Sequence, residues 1–494
     1  MTGRDALGTD DLQKADGMRL AKGVGVFAIM ASAVSQEYGS GINFVLVNSL
    51  GSYPAIAWAV PLAMLVAGLL LIPKVGLFAR FAEVAPRAGS SYVWLTRTVG
   101  YPIGFPVAFL WFVGVVAAMG FLAFTFATFV AGVLKSAGLP SAWAVTHGGH
   151  MVLGAALILL MFLLHYSGVH NYGRFVGLIF VLVLIAAALV LVYGFLTTQE
   201  TFLARASEAT GKPPTGNMSL SPSPGAFVSV VTLFMFAYGG LTAATSLGGE
   251  AREGKRSMPR GIILGWATAV VLFTAVSFAL FHAVPWWSVN SLIRSGHSAL
   301  VTTPGLIGLV APAGVALFLN LLVAVIVGKT VAPEMLDCSR YLFAWAQDGL
   351  LPRAFLHTSR SKAPDVALAA CAGLGLLFLA EATFVGWSIG VTLRSASLVL
   401  VFGVLGLGAL NVRFNRSFDG LSWARQIRLH AEVPVLGALA AVIAAILIAS
   451  VIRVPGLAWY FQPSFQGLIA IILAVALYAA ARGRLVSSRE MPAE

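Results

Sequence analysis

Charged residues are scarce in this chain of 494 amino acids: Asp, Glu, Lys and Arg together make up 10% of it. Soluble domains carry about 25%. Hydrophobic residues make up 59%, and apolar runs of about 20 residues recur along nearly the whole length. A bilayer requires such runs because every backbone amide must find its hydrogen-bond partner within the segment. The composition excludes a soluble globular domain and predicts an all-α polytopic membrane protein.

Cysteine is nearly absent as well, since Cys338 and Cys371 are the only two. Neither stands in a pattern with disulfide or metal-ligand spacing. The sequence also lacks a nucleotide-binding Gly-x-x-x-x-Gly-Lys-Ser/Thr motif, because "VGKT" at 327–330 has no upstream glycine. No cluster of His, Asp or Ser indicates an intramembrane enzyme. We therefore expect no enzyme activity, no metal and no cofactor.

The net charge of +12 is unevenly distributed along the chain. Lys and Arg cluster in alternate loops, at 74–97, 252–260, 353–362, 413–428 and 482–489. The intervening loops, at 135–149, 197–225 and 285–310, hold few of them. This positive-inside pattern predicts a multi-pass protein of the cytoplasmic membrane with both termini in the cytoplasm. A lipid bilayer, and no nucleic acid, is the expected partner of these charges.

Counting apolar runs predicts twelve transmembrane helices. Their predicted ranges are 22–48, 53–73, 104–134, 150–167, 171–196, 226–249, 260–284, 311–346, 364–383, 387–411, 432–452 and 464–482. The segment 197–225 is rich in Pro, Ser and Gly and predicts an external connector. The connector separates one five-helix unit, 22–196, from a second, 226–411. Segment 412–482 holds two more helices, and 1–21 and 483–494 are expected to be cytoplasmic.

Glycines interrupt the first predicted helix of each unit. Helix one contains Gly39-Ser40-Gly41 directly after Gln36-Glu37-Tyr38, and helix six contains Phe236-Ala237-Tyr238-Gly239-Gly240. Paired interruptions at equivalent places in two halves are a sequence pointer to a transporter binding site. The alternative is close helix packing, which also requires small residues. The candidate substrate-binding residues here are Gln36, Glu37, Gly39, Ser40, Gly41, Phe236, Tyr238, Gly239 and Gly240.

Four motifs occur in order along the chain: Gly39-Ser40-Gly41, "FAEVAPRAGSSYVWLTRTVG" at 81–100, "FAYGG" at 236–240 followed by Pro259, and "SRYLFAWAQDGLLPRAF" at 339–355. In these motifs the sequence resembles the amino acid–polyamine–organocation family of transporters. The resemblance covers nearly all of residues 20–411.

The resemblance implies a leucine-transporter-like fold, with helices 1–5 and 6–10 as a 5+5 inverted repeat. It places an amino acid or organic amine at the bilayer midplane, between the broken helices. Backbone N–H groups freed by unwinding would bind a carboxylate, and freed carbonyls would accept hydrogen bonds from an amine. Phe236 and Tyr238 are either aromatic gates over the ligand or ordinary packing residues. The implied function is secondary active transport by alternating access.

The chain departs from the family pattern at three places. Thr242 stands where many relatives have Glu, and Val183 stands near the place of a Lys found in proton-coupled relatives. Helix eight has Gly328-Lys329-Thr330 where sodium-coupled relatives place hydroxyl ligands. The Lys329 ammonium could occupy the cation position, which argues against sodium, or Thr330 is the true equivalent of those ligands. Acids inside the membrane together with Lys329 suit protonation switching, so we expect transport that is proton-coupled and independent of sodium.

Charged side chains inside a bilayer are costly and usually face a cavity or a partner. Glu37, Lys329 and Glu334 are therefore candidate functional residues, with Thr330 as a fourth candidate for coupling. Lys329 and Glu334 diverge by about 140° around a helix. We hypothesise that Lys329 pairs with Glu37 between helices one and eight, and that Glu334 faces the ligand amine or carries the proton. The alternative is a static lock in which Glu334 pairs with Lys329.

Several other polar residues have open roles. Arg394 either serves a gate or pairs with an acid such as Glu381. Glu83 and Glu250 either pair with nearby Arg at the inner gate or lie in solvated loops. Histidines near predicted helix ends favour structural roles over a proton relay; these are His165, His170 and His282.

The substrate and the mode of coupling stay open at this level. Two acids near the predicted pocket favour a basic amino acid, a diamine or a polyamine. If Lys329 neutralises one of them, a neutral amino acid fits equally well. Exchange of one organic ion for another, and a ligand sensor without transport, are the alternative functions.

Overall fold

The computed structural model describes residues 25–84, 90–167, 169–216, 218–240, 244–245, 251, 253–297, 300–386, 388–451 and 457–485. Within these ranges the chain is helical and contains no β-strand. Nine helical segments of the described chain are long and apolar enough to cross a membrane, two of them made of consecutive helices, and a bent pair of helices adds a tenth if it counts as one span. The prediction of a polytopic α-helical membrane protein is confirmed.

The helices of the first half are α1 (Val26–Glu37), α2 (Leu46–Ser52), α3 (Val60–Leu69), α4 (Ile72–Val84), α5 (Ser90–Val99), α6 (Tyr101–Ser136), α7 (His147–Tyr166), α8 (Val169–Leu196) and α9 (Gln199–Thr210). A π-helical turn, Gly41–Val45, precedes α2. The second half begins with α10 (Pro224–Phe234), α11 (Gly254–Ala283), α12 (Trp286–Arg294), α13 (Thr303–Gly308), α14 (Ala313–Lys329) and α15 (Val331–Gln347). It ends with α16 (Asp365–Phe384), α17 (Ser388–Phe414), α18 (Ser422–Leu429), α19 (Val433–Val451) and α20 (Pro463–Ala481).

The segment predicted as a plain connector at 197–225 contains the helix α9. The Thr198 side chain accepts a hydrogen bond from the Thr201 amide at its start, and Gly211 ends it with a φ of 74°. Both are standard capping signals in the sequence, a Thr at the N-cap and a Gly after the last turn. Only Phe202 and Ala206 of this helix are buried, so α9 covers the bundle with one narrow apolar face.

The interruption predicted in helix one is present in the structure. Helix α1 ends at Glu37, Tyr38 leaves helical geometry with a ψ of 87°, and the chain resumes as the π-helical turn at Gly41. In the second half, α10 ends at Phe234, and the amides of residues 236–239 bond to carbonyls three residues back. Both segments therefore lose regular α-helical hydrogen bonding beside their glycines.

Helix α6 lies at the centre of the bundle, and 78% of its most apolar window is buried. Helix α20 lies at the edge, where 22% is buried and Leu468, Ile472 and Leu473 are exposed. An exposed apolar face of this kind suits contact with lipid.

Arg residues from three of the predicted basic loops, at 74–97, 413–428 and 482–489, meet at one end of the bundle, here named the basic end. Arg80 on α4 forms an ion pair of 2.7 Å with Glu432 just before α19. Arg428 on α18 donates to the Val412 carbonyl near the end of α17, and Arg97 and Arg482 line one cavity. The basic end thus joins the ends of α4, α5, α17 and α20 and the beginnings of α6 and α19.

Candidate functional site

The two interrupted segments are packed against each other through glycines. A Cβ added at Gly240 would lie 2.6 Å from Glu37 Cγ and 2.9 Å from Gln36 Cβ. A Cβ added at Gly41 would lie 2.7 Å from Ala237 Cβ. These distances are far shorter than an ordinary carbon–carbon contact of about 3.5–4.0 Å. Glycine is required here because the two backbones approach so closely.

Helix α15 and the turn before it form the third wall of the site. A Cβ added at Gly39 would lie 2.6 Å from Thr330 Oγ1, and the Thr330 hydroxyl donates to the Ile326 carbonyl at 3.0 Å. Ser40 is also buried, and its hydroxyl makes no hydrogen bond within the described residues. Thr330 therefore faces the break in helix one.

A buried ion pair lies beside these breaks. Arg394 Nη2 on α17 lies 3.3 Å from Glu334 Oε2 on α15, with side-chain exposures of 2% and 7%. The Arg394 guanidinium carbon stands 3.7 Å from the centre of the Trp111 ring. A Cβ added at Gly239 would lie 3.6 Å from Arg394 Nε. Arg394 thus links α15, α6 and the interruption in helix six.

The ion pair leaves hydrogen-bonding capacity unused. Neither Arg394 Nη1 nor Nη2 makes a hydrogen bond within the described residues, and the same holds for Glu334 Oε2. A buried charged group without its hydrogen bonds is costly. A polar ligand in contact with both side chains would therefore satisfy groups that the protein itself does not.

Two further charged residues at this centre were not singled out from the sequence. Asp337 is fully buried, and its carboxylate accepts a hydrogen bond of 3.2 Å from Trp111 Nε1. Lys74 is fully buried as well and interacts electrostatically with Arg394, Glu37 and Asp337. Its ammonium makes no hydrogen bond within the described residues and lies 5.1 Å from the centre of the Phe78 ring.

Lys74 lies in a helix, and not in the cytoplasmic loop that the charge pattern predicts. The predicted helix at 53–73 continues, since the spanning segment runs over Pro54–Val84. Lys74 therefore lies in the first turn of α4, where it reaches the polar centre. The apolar residues that continue past Lys74, among them Val75, Leu77 and Phe78, were the available signal.

The expected ion pair between Lys329 and Glu37 is not found. Lys329 is buried, but its ammonium makes no hydrogen bond within the described residues. The alternative lock between Lys329 and Glu334 is not found either, because Glu334 pairs with Arg394. Lys329 lies one residue before Thr330, and successive side chains on a helix point in different directions.

The two aromatic residues interpreted either as gates or as packing residues face different neighbours. The Phe236 ring packs edge-on against Phe121 at 5.6 Å. The Tyr238 hydroxyl donates to the Met64 carbonyl at 3.1 Å, and its ring packs on Phe273 at 5.2 Å. Tyr238 therefore secures the broken helix against α3 and α11, while Phe236 faces α6.

The structure shows the contacts of those remaining polar residues that lie within its described ranges. Glu381 bonds to Gln466 on α20, and not to Arg394. Glu83 pairs with Arg80 at 3.0 Å, as one of the two alternatives had it. His165 contacts the Ala332 carbonyl at 2.7 Å and His282 the Gly194 carbonyl at 3.1 Å. Glu250, Thr242 and the His170 side chain lie outside the described residues.

The motifs at 81–100 and 339–355 meet at the basic end. The Asp348 carboxylate accepts hydrogen bonds from the Tyr92 hydroxyl at 2.6 Å and the Tyr101 hydroxyl at 2.8 Å. Arg97 donates to Tyr101 at 2.8 Å and lies 4.0 Å from Asp348. Burial and the Asp348 charge raise the pKa of Tyr92 well above its ordinary value, so this hydroxyl stays protonated and donates. These four residues, named the Asp348 network, fasten α5 and α6 to α15.

Apolar spanning helices that surround a buried, charged centre at two interrupted segments define a multi-pass membrane protein with the architecture of a transporter. A family model described as amino acid permease matches residues 23–477. The chain belongs to this family, and the resemblance to amino acid–polyamine–organocation transporters is confirmed. Its members are transporters and not enzymes.

Three curated relatives illustrate the range of the family. The branched-chain amino acid permease of Lactococcus lactis subsp. cremoris is 26% identical over 401 residues, which are 78% of this chain and 80% of that protein. The aspartate-proton symporter of Bacillus subtilis is 23% identical over 407 residues, 80% and 73% of the two chains. The serine/threonine exchanger of the same organism is 23% identical over 287 residues, 57% and 59%.

Proposed function

We propose that this permease is a secondary active transporter that carries a zwitterionic amino acid across the cytoplasmic membrane together with a proton and without sodium. The observation that carries the proposal is the ion pair between Glu334 and Arg394. It is buried beside both interrupted segments, and each side chain has unused hydrogen-bonding capacity. Such a pair can bind a ligand that itself carries one charge of each sign.

The layout proposed for this function is twelve spans with an inverted repeat. Besides the nine long helical segments and the bent pair, the chain contains two interrupted segments, 26–52 and the one that begins with α10. Counted together, the nine long helical segments, the bent pair and the two interrupted segments make twelve spans. By the positive-inside rule, the basic end is the cytoplasmic end, and both termini are cytoplasmic.

The recognition of a zwitterion uses both breaks. The amides of Gly41 and Ile42 lack partners within their own helix, whereas Asn43 N–H donates to the Gly39 carbonyl at 3.2 Å. The first two amides would bind the substrate carboxylate together with Arg394. Carbonyls released at the helix-six break, with the carbonyl oxygen that Glu334 keeps when it is protonated, would accept from the amine. Because Arg394 balances the charge of Glu334, a zwitterion is favoured over a diamine or polyamine.

The coupling proton is assigned to Glu334. While Glu334 is ionised, it holds the Arg394 guanidinium by charge. When Glu334 binds a proton, that attraction is lost, and the guanidinium becomes available to the substrate carboxylate. Proton binding and substrate binding then favour each other, as symport requires. A relative named as an aspartate-proton symporter supports this mode.

The absence of sodium coupling is proposed from helix eight. Thr330 supplies a hydroxyl beside the break in helix one, but its neighbour Lys329 is a buried basic residue. A second cation close to an ammonium would be repelled in a medium of low dielectric constant.

Uptake into proteoliposomes tests the proposal. An inward proton gradient should drive accumulation of an amino acid in sodium-free buffer, and Glu334→Gln should abolish this dependence on the gradient while counterflow continues. Glu381→Gln is the matched control, because Glu381 is an acid on a spanning helix that bonds to Gln466, away from Arg394. Unchanged gradient dependence in Glu334→Gln would refute the assignment of the proton.

Glu37 has a separate test. It lies against Gly240 and near Lys74. We expect Glu37→Gln to weaken cationic ligands more than neutral ones. Equal loss for all ligands would indicate a structural role for Glu37.

Amino acid exchange is the second candidate, supported by the relative named as a serine/threonine exchanger. An exchanger would show counterflow but no accumulation driven by a proton gradient. A ligand sensor on the same fold would bind an amino acid and show neither activity.

A further inference from the structure

A separate cavity of about 480 Å³ opens at the basic end of the bundle, between α5, the beginning of α6, the end of α17 and the end of α20. This volume lies in the range of small-ligand sites, about 300–1,000 Å³. Neither the predicted substrate residues nor the charged centre lines it. The lining that matters for the argument is Arg97, Asn411, Asn415, Ser417, Tyr478 and Arg482.

The cavity is suited to an anion. Arg97 and Arg482 both line it, and the described residues of its lining include no Asp or Glu. Arg97 is buried, with a side-chain exposure of 5%, and its Nε makes no hydrogen bond within the described residues. Two Arg side chains in a cavity whose described lining has no acid favour a ligand that accepts charged hydrogen bonds, as phosphate does.

The polar groups around the two Arg residues are held in place. The Asn411 side chain donates to the Thr98 carbonyl at 2.7 Å, and Asn415 donates to Asn411 at 3.2 Å. The Asn415 oxygen accepts from the Ser417 amide at 2.9 Å. The Ser417 and Tyr478 hydroxyls add donors that hydroxyl groups on a ligand could use.

The position of the cavity distinguishes a lipid from a free ion. Tyr478, Arg482 and Leu485 line it at the end of α20, and Ile471 and Val475, seven and three residues before Tyr478 on the same helix face, are exposed. Tyr and Arg at the end of an apolar spanning helix are typical of the membrane interface. Acyl chains could follow the exposed face of α20 while the phosphate enters the cavity.

We propose that this cavity binds the phosphate and glycerol headgroup of an anionic phospholipid from the leaflet at the basic end. Arg97 and Arg482 hold the phosphate, and Asn415 and Ser417 bond to the glycerol hydroxyls. Anionic lipid headgroups are recognised by basic pockets between spanning helices.

The site is connected to the Asp348 network through Arg97. The same guanidinium donates to Tyr101 and lies 4.0 Å from Asp348. A phosphate in the cavity would place a second anion beside Arg97 and hold it between α5 and α6. Lipid occupancy then changes how firmly the basic end is closed. This consequence rests on the proposed transport function, whereas binding of the lipid does not.

Arg482→Gln tests the site without altering the Asp348 network. The probe is short-chain phosphatidylglycerol added to the purified full-length protein, and affinity is read from thermal stabilisation. We expect about tenfold weaker binding in Arg482→Gln, from the loss of one hydrogen bond to a charged group. Arg425→Gln is the matched control, since Arg425 is exposed on α18 at the same end and does not line the cavity. The control should bind like the unaltered protein.

Further arms identify the source of the phosphate. Phosphatidylcholine of the same chain length and inorganic phosphate alone should stabilise the protein far less than phosphatidylglycerol does. Equal stabilisation by inorganic phosphate would overturn the lipid assignment, and equal affinity of Arg482→Gln for phosphatidylglycerol would overturn the site.

Counterflow in vesicles of phosphatidylcholine with and without phosphatidylglycerol tests the connection to transport. The unaltered protein should respond to phosphatidylglycerol and Arg482→Gln should not, whereas an equal response of both would overturn the connection. An absence of counterflow in every lipid would count against the proposed transport function and leave the binding result unaffected.

Discussion

Replacing Glu334 with Gln would leave the Arg394 guanidinium buried without its carboxylate. The two groups lie 3.3 Å apart. At that separation and an effective dielectric constant of about 20, their attraction is about 5 kcal/mol. Removing one partner of a buried ion pair typically costs about 3–5 kcal/mol. We therefore expect Glu334→Gln to lower the free energy of unfolding by about 3–5 kcal/mol.

The partner variants should differ in a way that follows from charge. Arg394→Met leaves Glu334 alone, but a carboxyl group can neutralise itself by binding a proton, whereas a guanidinium stays charged. Arg394→Met should therefore be less destabilising than Glu334→Gln. The double variant removes both charges, and Met can cover the Trp111 ring with an apolar side chain. Most of the lost stability should return, because an apolar replacement of a buried pair is often neutral.

Equilibrium unfolding in mixed detergent micelles, followed by circular dichroism, measures the free energy of unfolding of the unaltered protein, the two single variants and the double variant. The control is Glu208→Gln, which breaks the exposed pair between Arg205 and Glu208, with exposures of 59% and 68%. A solvent-exposed ion pair contributes little, about 0–1 kcal/mol. Additive effects of the two single substitutions at the centre would refute the reasoning, because independent losses exclude a direct interaction.

Three further predictions concern other parts of the molecule. Gly240→Ala should abolish uptake because its Cβ would lie 2.6 Å from Glu37 Cγ. Gly314→Ala is the control and should leave uptake unchanged, since a Cβ there would have no atom within 4 Å. Normal uptake by Gly240→Ala would disprove the close contact. Lys74→Met should preserve stability but reduce uptake, since it removes a positive charge near Glu37, and full uptake would exclude a role for Lys74. Asp348→Asn should weaken the two tyrosine hydrogen bonds and increase cysteine labelling or proteolysis at the basic end, and unchanged accessibility would contradict the Asp348 network.

Local sequence patterns were enough to predict the class of protein and the interruptions in helices one and six. Apolar runs predicted spanning helices because hydrocarbon demands that each helix satisfy its own backbone. Gly39-Ser40-Gly41 and Gly239-Gly240 predicted the breaks, and the structure places both breaks in contact. The boundaries were less accurate, as the extension of the second span to Val84 shows, since a single Lys in an apolar run resembles the start of a loop.

The sequence did not predict which buried charges form ion pairs. Lys329 and Glu37 were matched because both are buried charges on helices expected to touch. The structure instead pairs Glu334 with Arg394, two residues that are 60 positions apart in the chain. Which charges meet depends on the rotation and axial position of each helix, and a side chain's spacing along its own helix carries no information about its neighbour's.

The amino-acid sequence by itself determined that this protein crosses a membrane, where two helices are interrupted, and to which transporter family it belongs, because these properties depend on local composition and on motifs read along one segment. Only the tertiary structure decided that Lys74, Asp337 and Arg394 share the centre with Glu334, and that Arg97 connects the Asp348 network to a basic cavity. Those arrangements join residues from distant helices, and packing alone sets the few ångströms over which buried charges interact.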